Sequence, residues 1–169
     1  MIPGLLQTAG YAHQLLTNRP DGLTVGNGSA GEIGRMIAAR VGRQKILYEP
    51  GRTLTLLMSE GALRTRLAAA EVMAGQLYHL AGLTELGTAK IGVIPFAAPL
   101  AIAPTFGFGL YDDIAVVETI DGEMEIGDPV AVAKYEQHAD YLAEVALTGS
   151  AAAGLIHAIA AEYEREGQT

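Results

Sequence analysis

The spacing of the apolar residues changes period twice along this chain, and that limits its folds more than any other feature. Leu5, Ala9, Ala12 and Leu16 recur at helical intervals, as do Ile33, Ile37, Val41 and Leu47. Between residues 53 and 126 short β-prone runs take over, with strands expected near 53–59, 89–95, 105–111 and 114–119. One helix interrupts them over 71–86, where Met73, Leu77 and Leu80 share a face. From 129 to 165 the period returns to helical, with Pro129 suited to a first turn and Ser150 to a cap. The residue pairs 112–113 (DD) and 121–122 (DG) are turn signals that make 105–126 an antiparallel meander. The pattern predicts an α+β fold: a small, mostly antiparallel sheet with helices packed around it. The organisation expected is a single domain over 1–169, with a helical part 4–49, a mixed α/β core 53–126 and a helical part 129–165.

Half of the residues are apolar and 18% are charged, so there is material for a core. No run approaches about 18 apolar residues, and no basic segment leads into an apolar one at the start. With no cysteine, disulfides and thiolate metal sites are excluded, and a cytoplasmic protein is the expectation. The formal charge is −8, and the densest basic run, 35–45, sets Arg40 and Arg43 among apolar residues rather than in a patch. Direct nucleic-acid binding, which needs a positive face for phosphates, is not expected.

Several motifs dissolve on inspection. The run GNGSAG (26–31) matches a dinucleotide-binding spacing, but only a short exposed segment precedes it where a buried strand is required. Ser29 followed by Glu32 reads instead as a capping box. The four histidines (13, 79, 138 and 157) show no metal-binding spacing, so neither metal nor cofactor is expected. His138 belongs to a helical stripe with Ala131, Tyr135, Leu142 and Val145. None of the three serines sits in a nucleophile turn. Glu60, Glu118 and a histidine are the raw material for an acid–base pair, although the plainer reading of Glu118 is an ion pair with Arg40 or Arg43.

The stretch 94–111, IPFAAPLAIAPTFGFGLY, holds all three phenylalanines, Phe96, Phe106 and Phe108. Alternation points Phe106, Phe108 and Leu110 to one strand face, while Gly107 and Gly109 leave the other bare for a helix or a ligand to approach. The loop between the strands is apolar where loops are ordinarily polar, as suits a lid over an apolar hollow or a contact surface.

The phrases IPGLLQTAGYAHQLL, AARVGRQKIL, LLMSEGALR, EVMAGQLYHL, IGVIPF, AVVET and DPVAVAKYEQHADYLAEVAL occur in this order. Together they resemble the C-terminal domain of actinobacterial helix-turn-helix regulators of the xenobiotic-response type. The resemblance implies an effector or interaction domain that senses a signal, self-associates or binds a small partner protein, here without the DNA-binding domain that precedes it in that family. It supplies no catalytic residues.

Two readings follow. In the first, a regulator-like effector domain binds a small apolar molecule or a small partner protein, with a homodimer also open. Phe96, Phe106, Phe108 and Tyr111 would supply apolar contacts, and Arg64, His79 and Glu118 would orient what binds. In the second, a stand-alone protein of the same fold works as a natural-product biosynthetic enzyme. Such a cyclase would act by holding an apolar substrate in a reactive shape.

Overall fold

The computed structural model describes residues 1–18, 29–102, 104, 106–119 and 122–168. The linker at 19–28, with the first part of the GNGSAG run, lies outside them. The fold is α+β, and its strands form two three-stranded sheets, one mixed and one antiparallel. The described chain falls into two compact units, Met1–Phe96 with Leu147–Thr169, and Ala97–Ala146.

The first unit opens with a 3-10 turn at Gly4–Leu6 and helix α1 (Ala9–Thr17). Thr8 caps α1, its hydroxyl accepting from the Tyr11 amide. Helix α2 (Ala30–Arg43) begins at Ser29, whose hydroxyl accepts from the Glu32 amide as the capping-box reading expects. It runs into a second 3-10 segment, Gln44–Tyr48. Strand β1 (Leu54–Ser59) pairs in parallel with β2 (Ala89–Ile94), from Leu54 opposite Ala89 to Ser59 opposite Ile94. A parallel pair needs a crossover, and the short helix α3 (Glu60–Arg64) and the longer α4 (Ala70–Leu83) supply it. This pair makes the first sheet less antiparallel than the spacing of the strands suggested.

The last segment completes the unit. Strand β6 (Leu147–Thr148) is only two residues long and pairs antiparallel with β2. Helix α6 (Gly149–Gly167) then packs along α4 in the most extensive helix contact of the protein. Met73, Leu77 and Leu80 of α4 are sealed from solvent, as are Ile156, Ile159 and Ala160 of α6. Ser150 does not cap this helix: it starts earlier, at Gly149, whose φ of +54° is a left-handed conformation that glycine adopts without strain. Ser59 is the serine that caps instead, its hydroxyl accepting from the Ala62 amide at the start of α3.

The second unit is the expected meander, β3 (Phe108–Tyr111), β4 (Ile114–Glu118) and β5 (Glu123–Ile126), in that spatial order. Strand β3 is shorter than the sequence suggested and leaves Phe106 and Gly107 in the approach to it. The Asp112–Asp113 pair makes the first turn, with Asp112 at φ +51°. Helix α5 (Pro129–Val145) follows, with Pro129 in its first turn and the Asp128 carboxylate accepting from the Ala131 amide.

Two glutamines with no exposed surface hold the N-terminal segment to the first unit. Gln76 on α4 accepts from the Thr8 amide at 2.6 Å and donates to the Leu6 carbonyl at 2.7 Å. Gln7 donates to the Ile2 carbonyl and accepts from Arg40 Nη1 at 2.8 Å. The Tyr11 hydroxyl is buried with no hydrogen-bond partner among the described residues, and burial together with Tyr163 pushes its ionisation above the usual range. Removing a bonded group and removing an unbonded one should therefore have opposite signs. Gln76→Leu strands two buried backbone groups and should cost about 1–3 kcal/mol for each, read as a fall in the urea midpoint. Tyr11→Phe should hold or raise that midpoint, and a marked loss in Tyr11→Phe would contradict this account of the core.

Candidate functional site

The seven candidate residues divide between the units. Arg64, His79 and Phe96 lie in the first, and Phe106, Phe108, Tyr111 and Glu118 in the second.

In the first unit the chemistry gathers around Glu60, at the start of α3. Its carboxylate is almost fully buried. It accepts from Arg64 Nε at 2.6 Å and from the Phe96 amide at 2.9 Å. Burial alone would raise its pKa, but the Phe96 amide and the Arg64 guanidinium outweigh that and hold the carboxyl below its ordinary value of 4.5. Arg64 reaches on to Glu162 of α6 at 2.6 Å, and Arg66 pairs with Glu166 at 3.1 Å. Tyr163 donates to the Arg64 carbonyl at 2.8 Å. Arg64, Arg66, Ile159, Glu162, Tyr163 and Glu166 line a hollow of about 270 Å³ walled by paired charges. Arg64, expected to orient a ligand, is thus committed to two carboxylates. The Phe96 ring is 69% exposed and rests against Gly61. His79 is half-buried on α4, and loss of solvent pushes its imidazole below the usual value.

In the second unit Phe106 and Phe108 meet the same ring, Tyr135 of α5, at centroid distances of 6.4 and 5.1 Å. Phe108 also lies 5.9 Å from His138, which stacks on Tyr141 at 6.5 Å. The stripe that placed His138 on one face of α5 is therefore the face that meets the sheet. The Tyr141 hydroxyl accepts from the Ala101 amide at 2.5 Å and so ties the apolar loop to the helix. Phe106 stays 54% exposed and Ile102 59% exposed.

The pleat sends Tyr111 to the other sheet face, away from Phe108. There its ring lies across Gly109, where an added Cβ would sit 2.7 Å from Tyr111 Cε2. The close approach at Gly109 is thus made by a neighbour in the same strand. At Gly107 a Cβ would meet nothing within 4 Å. Glu118 stands opposite Glu123 in the β4–β5 register, while Arg40 donates to Gln7.

Residues 97–146 carry ten acidic residues and a single cation, Lys134, a formal −9. The rest of the chain, with nine acidic and ten basic residues, comes to +1. The acidity that looked like a property of the whole protein belongs to one unit. Among the described residues no group of three or more His, Asp or Glu is placed to hold a metal ion, and no helix is long and apolar enough to cross a membrane.

A family model described as a domain of unknown function, DUF5753, matches residues 1–158. The chain belongs to this family. Comparison with curated proteins and with solved structures gave no match. Membership spans both units and assigns no activity to either.

The Glu60 latch has a pH signature. Its carboxyl ionises at lower pH in the folded state, so its contribution is complete above the ordinary glutamate value and drains away as pH falls through the folded one. Glu60→Gln keeps an acceptor for the Phe96 amide but loses the charge. It should cost roughly 1–2 kcal/mol at neutral pH and flatten the acid limb of a stability-versus-pH curve. An unchanged acid limb in the variant would rule out the latch.

Proposed function

We propose that this chain is a regulator-like effector domain of the cytoplasm whose Ala97–Ala146 unit docks a partner protein. The reading is carried by one observation: Ile102 and Phe106 stand more than half exposed beside a helix that has already engaged Phe108. Large apolar side chains left exposed on a small unit suit an interaction surface. The Ala101 amide, next to Ile102, is held by the Tyr141 hydroxyl of α5, a contact that lowers the ordering cost of binding at Ile102. Resemblance of the sequence to effector domains of helix-turn-helix regulators supports the same role. A protein partner suits this geometry better than a small apolar molecule, because one hollow of the first unit is walled by the Arg64–Glu162 and Arg66–Glu166 pairs and another is lined by Arg52 and Lys90.

The test is a two-hybrid screen of the full chain against a genomic fragment library with sequenced interactors, repeated with Ile102→Ser/Phe106→Ser. Both positions are exposed, so the double variant should keep its thermal midpoint and lose the interactors. Interactors retained by the variant would refute the assignment. So would a set of apolar metabolites that raise the midpoint, since ligand at a hundredfold excess over Kd adds about 2.7 kcal/mol.

A further inference from the structure

The second face of the antiparallel sheet differs from the face that α5 covers. Register and pleat place Gly109, Tyr111, Ile114, Val116, Glu118, Glu123 and Glu125 together on it. Tyr111 is 66% exposed, the three glutamates are exposed, and Ile114 and Val116 are half-buried. The face is therefore an apolar strip bordered by carboxylates. Glu118 and Glu123 are directly opposed across the strands, an arrangement that costs stability unless a cation comes between them. Among the described residues the ion pairs Arg52–Glu49, Arg64–Glu60, Arg64–Glu162 and Arg66–Glu166 lie in the other unit. Lys134 is the one cation in the sequence of this unit.

We propose that the β5 edge of this sheet binds an extended, basic protein segment in which arginine or lysine alternates with apolar residues. This rests on the interaction role proposed above and names the partner's chemistry. Three features select it. Charge complementarity comes first: a unit at −9 attracts a cationic partner and repels acidic ones. Spacing is the second: Glu123 and Glu125 sit two residues apart on β5, about 6.6 Å, the repeat of alternate side chains in any extended segment. Edge position is the third: β5 closes the sheet on one side, so a segment laid beside it meets main-chain groups as well as carboxylates. Guanidinium groups on the glutamate side would pair with the carboxylates, and the alternate apolar residues would fall beside the exposed Met124 and the half-buried Ile126 on the other side of β5.

The full chain would be titrated by fluorescence anisotropy against three labelled peptides: arginine alternating with valine, glutamate alternating with valine, and arginine alternating with serine. The arginine–valine peptide should bind best, the glutamate peptide not at all, and the arginine–serine peptide clearly more weakly. Glu123→Gln/Glu125→Gln, at two exposed positions, should weaken the first peptide by about tenfold at low salt and blunt its salt dependence. Equal binding of the serine control would mean general polycation attraction and would overturn the proposal, as would an unaffected double variant. The two readings fail separately. Interactors that need Ile102 and Phe106 but ignore the glutamate changes leave the interaction role standing and remove this one. Interactors retained by Ile102→Ser/Phe106→Ser, with peptide binding still lost in the glutamate variant, do the reverse.

Discussion

The structure of the first unit depends on the return of the chain at Leu147. Strand β2 is the middle of its sheet, with β1 parallel on one side and the two residues of β6 on the other. That short pairing sets the start of α6, and α6 covers Met73, Leu77 and Leu80 on α4. Each such side chain contributes about 1.5–3 kcal/mol when buried, so an α4 left facing water would lose the largest part of the core. The fifty residues between are an insertion in this closure. Loop entropy grows only by about 0.6 kcal/mol for each doubling of length, so a segment of that size can be carried between β2 and β6 at little cost.

Polar side chains finish what the apolar core begins, and they do so at the ends of the unit. Gln76 and Gln7 bind backbone groups of the N-terminal segment that would otherwise be buried without partners. Glu60 does the same for Phe96, the last residue before the inserted segment departs. Val93 pairs with Leu147, so the segment leaves and re-enters the first unit at neighbouring strands. The inserted unit itself buries few large side chains, with Ala115, Val117, Val132 and Leu142 its buried apolar residues among those described. Aromatic contacts at its surface take over part of that task.

The long elements were legible in the sequence because periodicity reports burial. The helices α4, α5 and α6 and the strands β1, β2 and β4 lie within a few residues of where spacing put them. Elements set by tertiary contact were not legible. Strand β6 has two residues and no pattern of its own, and α3 is a single turn fixed by Ser59 and by Glu60 reaching Arg64. The division of strands into two sheets is likewise invisible to a local period. For the candidate site, Phe106 and Phe108 share a ring as alternation implied, but Tyr111 lies on the opposite face over Gly109. Arg64 was readable as charged, yet nothing local revealed that two glutamates, one almost a hundred positions away, would occupy it. The concentration of acid in residues 97–146 needed no structure, only a boundary within which to count.

A closed, nearly neutral scaffold carrying an acidic, aromatic insertion makes a definite statement about which parts open first. Native-state hydrogen exchange on the intact chain addresses it directly. Amides of β1, β2, α4 and α6 should be protected to the highest free energy and be released together, with those of β3, β4, β5 and α5 exchanging through a smaller opening. Release of β2 and α4 before the inserted strands, or of all elements in one event at equal free energy, would contradict it.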